Sequence, residues 1–200
     1  MTIEKRSEWG TVVVRTDVAR RFHDYLLLDN ASCPQAGDMY LSLGSPNNTN
    51  NEQTVWRQLP VDHIAVRLDD GEWLIGQAHV TAGKFLFGEF CIAANTAFVR
   101  AKHIFHSSHP NDGIIEFLVV DSHMPIRQRL LALRKVAHGT HLPHPFIANS
   151  RGKHKVFQFN VPTRIRIDGR RVGRCTTLEV RVSPDAGAVF IPSTEATQET

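Results

Sequence analysis

Short runs of alternating apolar and polar residues, separated by Gly, Pro, Asn and Asp, recur along most of the chain. Alternation is the period of a β-strand that buries one of its faces. In 161–182, two such runs flank Asp168-Gly169, a pair typical of a tight hairpin turn. The runs 63–68 and 73–80 flank Asp70-Gly71 in the same way, so the sequence predicts two hairpins.

The first strand of the 161–182 hairpin divides its side chains sharply between two faces. Ile165 and Ile167 lie on one face, whereas Arg164, Arg166 and Asp168 lie on the other. We expect the isoleucine face to join the core. The opposite face would then present basic side chains with a single acid at its end.

Further apolar or alternating runs predict the remaining strands, and they are separated by turn signals at regular intervals. These runs are 9–15, 22–28, 39–43, 85–94, 98–105, 114–120, 155–159 and 188–191. The segment 45–53, SPNNTNNEQ, has the composition of a loop.

The period changes at 124–137, where Ile126, Leu130, Leu133 and Ala137 recur at helical spacing. This spacing predicts an amphipathic helix whose apolar stripe faces the core. The basic side chains of the segment would lie away from that stripe: Arg127, Arg134 and Lys135.

About ten short strands and one helix are typical of an all-β sandwich or barrel with a helical insertion. We therefore expect a mainly β, two-sheet β-sandwich with one inserted α-helix. The 200 residues suit one domain, which we place at 1–192, followed by a disordered tail at 193–200.

Composition places the chain among ordinary globular proteins, with 42% hydrophobic and 22% charged residues. No apolar run approaches the roughly 18 residues of a membrane span, and the polar start is unlike a secretory signal. Cys33, Cys91 and Cys175 are odd in number and widely spaced, which matches no disulfide framework or zinc pattern. These features predict a cytoplasmic protein.

The net charge of +3 conceals an asymmetry along the chain. Residues 1–122 carry 10 Lys/Arg and 15 Asp/Glu, whereas residues 123–200 carry 13 and 5. A basic half attracts phosphate, anionic lipid or nucleic acid, and it is equally typical of a solvated surface. Nucleic acid is the weaker interpretation, because the basic strand 164–168 has no aromatic side chain on which a base could stack.

Few residues form a recognisable chemical motif. The PNDG turn at 110–113 contains Asp112, which can ligate a hard cation but is also ordinary in a turn. The sequence contains no nucleophile elbow, Walker motif or GxGxxG loop. Two sets of three histidines, each spaced by three residues, could supply zinc ligands. An extended backbone would place such rings on both faces of a strand, so turn or surface histidines are the favoured interpretation. The two sets are His103, His106 and His109, and His138, His141 and His144.

From about 62 to 192, the order of features resembles the C-terminal β-sandwich domain of the diacylglycerol kinase-like lipid kinases. This family includes sphingosine, ceramide and bacterial lipid kinases. The matching pieces are PNDGIIEFLVV, the helix in RQRLLALRKVAHGTHLPHP, the KVFQF strand, the IRIDGR turn and LEVRVSPDAGAVFIP. The resemblance lies in their order and spacing, since no single piece is specific.

The resemblance implies a structural Mg²⁺ held by Asp112 and the main-chain carbonyls of His109 and Ile114. It also implies a Glu as general base directly after the DG turn, where this chain has Arg170. Arginine stays protonated and cannot accept a proton, which leaves Asp168 as the nearest candidate acid. The family binds ATP through a GGDGT motif in a separate domain. This sequence lacks the motif, so we expect it neither to bind ATP nor to transfer phosphate unaided.

These features lead to a non-catalytic interpretation, in which the sandwich binds a lipid, a phosphorylated small molecule or a partner protein. The anion contacts would come from Arg164, Arg166, Arg170 and Arg171, and the protein would be cytoplasmic or peripheral at a membrane. One alternative is the substrate domain of a lipid phosphotransferase completed by a separate nucleotide-binding chain. Another is a structural homodimer joined through an edge strand.

Overall fold

The computed structural model describes residues 9–29, 31–46, 54–136 and 143–193. The predicted tail beyond 193, most of the 45–53 loop, and His138 and His141 lie outside the described residues. The elements in chain order are β1 (Thr11–Val14), β2 (Ala19–Arg21), a 3-10 helix (Asp24–Leu28), β3 (Ser32–Pro34), α1 (Asp38–Ser42), β4 (Val55–Leu68), β5 (Trp73–Gly76), β6 (His79–Lys84), β7 (Phe87–Ala94), β8 (Phe98–Val99), β9 (Lys102–His103), β10 (Ile115–Val120), α2 (Ile126–Val136), β11 (Ile147–Gly152), β12 (His154–Ile167) and β13 (Arg170–Pro192).

Eleven of these strands form one sheet, in the order β1-β4-β13-β12-β6-β7-β10-β11, with β5 beside β4 and β2 and β3 beside the end of β13. The remaining two strands, β8 and β9, form a separate hairpin. All pairs are antiparallel except β2 with β3 and β3 with β13. The predicted mainly β sandwich is confirmed.

The long strands β12 and β13 carry the sheet from one layer of the sandwich to the other. One half of β12 pairs only with β13, and its other half, beyond a break in register between Gln158 and Thr163, also pairs with β6. The sheet thereby folds back on itself, and Ile64 and Val66 of β4 join one core with Val80 of β6 and Phe117 of β10. Burial of this apolar surface is the main favourable term in folding.

A second apolar cluster covers the outer face of β7 and β10. Ile92 and Leu118 project from these strands and pack with Phe105, Ala132 and Val136. Helix α2 is thereby held against the outside of the sandwich, which creates a third layer at this end. None of the helices in the described parts of the chain is both long and apolar enough to cross a bilayer.

Two predicted strands are helical. The segment 22–28 contains the 3-10 helix, and all of 39–43 except Leu43 lies in α1. The start of α1 is stabilised by Asp24, whose buried carboxylate accepts the backbone N–H groups of Asp38 at 2.9 Å and Met39 at 3.1 Å. A carboxylate in this place satisfies donors that a helix start leaves without partners. Strand propensity could not anticipate that contact, because 14 residues separate Asp24 and Asp38.

Two other predicted strands are each divided. The 73–80 run forms β5, which pairs with β4, and then β6, which passes to the other layer. The 98–105 run forms the β8–β9 hairpin, whose turn residues Arg100 and Ala101 have φ of 52° and 60°. Non-glycine residues rarely adopt this conformation, so composition gave no turn signal at this point.

The predicted helix is present as α2, but its orientation differs from the prediction. Ile126 and Leu130 are 48% and 47% exposed, whereas Arg129 is fully buried. The Arg129 guanidinium donates to the carbonyls of Phe85, Gly88, Asp121 and Met124. These main-chain acceptors replace the water that the Arg129 guanidinium loses on burial. The apolar periodicity would have placed this side chain in solvent.

Candidate functional site

The candidate site lies on the outer face of the sheet, where β12 runs beside β6. Ile165 pairs with Ala82 and Arg166 with Thr81. Because side chains alternate along a strand, Ile165 points into the core, and Arg164 and Arg166 lie on the opposite face. These two arginines, together with Thr81 and Gly83, form part of the wall of a cavity.

The cavity has a volume of about 530 Å³ and lies between this face, the β8–β9 hairpin and α2. Its apolar walls include Ile92 of β7, Leu118 of β10 and Leu133 of α2. None of the described residues that line it is acidic. Five lining residues are cationic: Lys84, Arg100, Lys102, Arg164 and Arg166.

Arg164 lines this cavity and has one unsatisfied side-chain donor. Its Nε is buried and has no hydrogen-bond partner among the described residues. Arg166 is exposed, and its Nη1 donates to the Gly169 carbonyl at 2.9 Å. A guanidinium donor that loses water without gaining an acceptor costs free energy, and anionic oxygens are the acceptors that form the strongest hydrogen bonds with it.

The four predicted anion-binding arginines separate into two pairs. Arg164 and Arg166 line the cavity, whereas Arg170 and Arg171 are exposed beyond the hairpin turn and do not line it. Sequence reasoning missed the other three cations. The alternation of β12 could not reveal them, because they lie on β6 and on the β8–β9 hairpin: Lys84, Arg100 and Lys102.

Arg100 is positioned by a buried carboxylate. Asp38 accepts the backbone N–H groups of Arg100 and Ala101, each at 2.8 Å. These two hydrogen bonds hold both residues in the left-handed conformation that makes the hairpin turn. Asp38 therefore fixes the position of the turn that supplies one of the cavity's cations.

A buried cluster of ionisable groups surrounds Asp38. His79 Nδ1 lies 2.8 Å from Asp38 Oδ2, and one ligand atom from each of Asp24, Asp38 and His79 lies within 4.8 Å of the others. Gly37, with φ of 96°, allows this approach, since a Cβ there would lie 2.6 Å from Asp24 Oδ1. Among the described residues, this is the set whose spacing suits a metal ion, and the sequence gave no signal for it.

The charges of this cluster shift its pKa values. Burial alone lowers the pKa of His79, but the hydrogen bond and charge of Asp38, with the charges of Asp168 and Asp24, leave it above the ordinary 6.5. For Asp38, burial raises the pKa, but the contacts with His79 and the turn leave it below its ordinary value. Burial raises the pKa of Asp24 to about 6. A protonated His79 therefore neutralises Asp38.

Asp168 stabilises the backbone and is not a free acid. It is buried, and its carboxylate accepts the N–H groups of Gln77 at 2.7 Å, Ala78 at 2.8 Å and His79 at 3.0 Å. These contacts hold the turn between β5 and β6. Asp168, expected at the end of the basic face as the nearest candidate acid, is instead buried with its oxygens already engaged.

Asp112, the side chain implied as a magnesium ligand, already has hydrogen-bond and ion-pair partners. Asp112 Oδ2 lies 3.0 Å from Arg151 Nη2, and its Oδ1 accepts the Ile114 N–H at 3.0 Å. The same guanidinium lies 2.8 Å from the buried carboxylate of Glu116. The His109 ring contacts Trp9, with 4.7 Å between the ring centroids. Arg151 therefore already supplies a positive charge between two carboxylates, and this charge would repel a Mg²⁺ ion bound at Asp112.

The solved structures that share this fold include two from one organism. One is a diacylglycerol kinase from Bacillus anthracis str. Sterne, with a TM-score of 0.54, 12% identity, and coverage of 82% of this chain and 67% of that chain. The other, from the same organism and described provisionally as a diacylglycerol kinase, has a TM-score of 0.58, 12% identity, and coverage of 82% and 70%. No family model and no curated protein matches the sequence.

At this identity the likeness concerns the fold. The fold is that of diacylglycerol kinase-like structures, as the order of motifs predicted. The narrower assignment to the C-terminal domain of these kinases stays a prediction.

Proposed function

We propose that this protein binds an amphiphile with a phosphate head group, without chemically transforming it. The head group contacts Arg164 and Arg166, and the alkyl tail fills the apolar part of the cavity. The observation that carries this proposal is Arg164, which lines a cavity wall without acidic residues and whose buried Nε has no acceptor among the described residues. A phosphate oxygen is the acceptor that best matches a guanidinium donor.

The dimensions and lining of the cavity support an amphiphile over a free anion. A volume of about 530 Å³ lies in the range of small-molecule pockets and exceeds what inorganic phosphate needs. Transfer of an alkyl chain to apolar surroundings is favourable by about 0.8 kcal/mol per buried CH₂ group. Contacts with Ile92, Leu118 and Leu133 therefore add affinity that a head group alone lacks.

The likeness to known structures supports a lipid as the amphiphile. Both structural neighbours are named as kinases of diacylglycerol, which is a lipid. The non-catalytic part of the proposal rests on this chain's own residues: Arg170 follows the DG turn, the Asp168 oxygens accept three N–H groups, and GGDGT is absent.

Isothermal titration with dihexanoyl phosphatidic acid tests this proposal. A charge-assisted hydrogen bond contributes about 1.5–3 kcal/mol, so Arg164→Gln with Arg166→Gln should weaken binding at least about tenfold. The matched control, Arg170→Gln with Arg171→Gln, removes the same charge outside the cavity and should bind like the parent. Equal weakening by both variants, or no binding by the parent, would contradict the proposal.

The same titration addresses the alternative of a substrate domain completed by a nucleotide-binding chain, which the fold likeness favours. A substrate domain would bind the lipid alcohol, so dihexanoyl glycerol should bind at least as tightly as the phosphatidic acid. Our proposal expects the reverse order, because the neutral alcohol offers the Arg164 guanidinium no anionic acceptor.

A further inference from the structure

Helix α2 has an outer face that is apolar and basic at once. Ile126, Leu130 and Leu131 are 48%, 47% and 50% exposed, although such side chains are usually buried. They form one surface with the exposed basic residues of the helix, which we call the α2 outer face. Its basic members are Arg127, Arg134 and Lys135.

The charge of the α2 outer face indicates which kind of partner it would bind. Helix α2 has no acidic residue, so its outer face combines cations only with apolar groups. A helix with this composition binds the interface of an anionic bilayer, where leucines enter the acyl boundary and Lys or Arg side chains reach the head groups. Its 11 residues are about half the length needed to span a bilayer, which suits a helix that lies in the interface plane.

The opposite side of α2 lines the cavity. Ala132, Leu133 and Val136 contribute to the cavity wall, while Leu130 and Leu131 point outward. One helix thus separates the cavity from the outer apolar surface. Arg129 fixes the helix to the β6–β7 hairpin through the carbonyls of Phe85 and Gly88. The cavity and the α2 outer face are therefore held in one relative position.

We infer that the α2 outer face docks on an anionic lipid bilayer, which places the cavity beside the leaflet from which its ligand enters. The entry step rests on the proposed function, whereas the docking rests only on the composition and exposure of α2. The two can therefore fail separately.

Flotation with phosphatidylcholine vesicles, with and without phosphatidylglycerol, tests the docking. The parent should bind the anionic vesicles, and binding should fall as salt screens the charges. Leu130→Gln with Leu131→Gln should reduce vesicle partitioning at least tenfold and leave titration with dihexanoyl phosphatidic acid unchanged. The control, Val156→Gln with Val161→Gln, replaces two exposed apolar residues of β12 and should bind vesicles like the parent.

The cavity variant Arg164→Gln with Arg166→Gln separates the two proposals. It should lose binding of the soluble lipid but still float with anionic vesicles.

Sedimentation equilibrium tests the alternative that a second copy of the chain covers the α2 outer face. Membrane docking would be overturned if the parent is a dimer and Leu130→Gln with Leu131→Gln converts it to a monomer. It would also be overturned if the parent does not bind vesicles, or if the parent and the helix variant bind them equally. Circular dichroism should show the same folded content in all variants.

Discussion

His79 Nδ1 lies 2.8 Å from a carboxylate oxygen of Asp38, and both side chains are buried. This ion pair joins β6 to α1, and the same carboxylate holds the turn that carries Arg100. One buried contact therefore connects the sandwich, the N-terminal segment and the cavity wall.

The first prediction concerns the pH dependence of stability. Because the pKa of His79 is raised above 6.5, its ion pair stabilises the folded protein fully below pH 6.5, and this contribution is lost as pH rises through the folded-state pKa. His79→Gln should therefore be most destabilising below pH 6.5, with the difference from the parent shrinking as pH rises above 6.5 through the folded-state pKa of His79. Urea unfolding across this range measures the difference.

His63→Gln provides a control of opposite sign. Burial lowers the pKa of His63, so His63 destabilises the parent at low pH and this penalty disappears as pH rises towards 6.5. The stability of the parent relative to His63→Gln should therefore increase as pH rises towards 6.5. Parallel pH profiles for the two variants would refute the assigned shifts.

The second prediction concerns Asp168. Asparagine at position 168 tolerates the left-handed backbone. Its side chain has only one acceptor oxygen, so Asp168→Asn cannot accept all three N–H groups of Gln77, Ala78 and His79 as the two carboxylate oxygens do. We expect a loss of about 1–3 kcal/mol in unfolding free energy. Asp69→Asn is the matched control, since Asp69 has the same φ of 48° but is exposed, and water can replace its contacts. An equal loss at both positions would contradict a special role for the buried turn.

The third prediction concerns Arg129. Lysine concentrates its donors at one point, so Arg129→Lys cannot reach the carbonyls of Phe85, Gly88 and Met124 together. Thermal unfolding should reveal a loss of about 3 kcal/mol, from several unsatisfied buried groups. Arg127→Lys on the exposed side of α2 should have an effect within about 0.5 kcal/mol.

The fourth prediction concerns metal dependence at Asp112. Since Arg151 lies between Asp112 and Glu116, removal of Mg²⁺ with EDTA should leave the melting temperature of the parent unchanged. Arg151→Met leaves two carboxylates without their cation, so it should lower the melting temperature. Added Mg²⁺ or Ca²⁺ should restore part of that loss, because binding to the folded state stabilises it. A parent that melts lower in EDTA would show that the loop does hold a metal.

Much of the fold was predictable because alternation and turn chemistry are local. Asp168-Gly169 and Asp70-Gly71 lie at turns, with Asp168 and Asp69 both at φ of 48°. The strand at 114–120 and the helix at 124–137 were also confirmed within a few residues. In these segments, the same residues determine the local conformation and the buried face.

The errors share one physical cause, which is a contact between residues distant in sequence. Asp24 stabilises the start of α1, where a strand was predicted, and Asp168 holds the turn that divides 73–80 into β5 and β6. Likewise, Arg129 turns α2 so that Ile126 and Leu130 face outward. In the candidate site, the alternation along β12 predicted that Arg164 and Arg166 share a face. The positions of the cations from the other elements depend on tertiary packing, so the sequence could not predict them.

The most direct test of the central claim maps where the lipid tail lies. A short-chain phosphatidic acid with a diazirine at the end of its tail, used below its micelle concentration, should label β7, β10 or α2 around Ile92, Leu118 and Leu133. Peptide mass spectrometry locates the label, which Arg164→Gln with Arg166→Gln should reduce. Labelling of other faces, or equal labelling of parent and variant, would contradict the account.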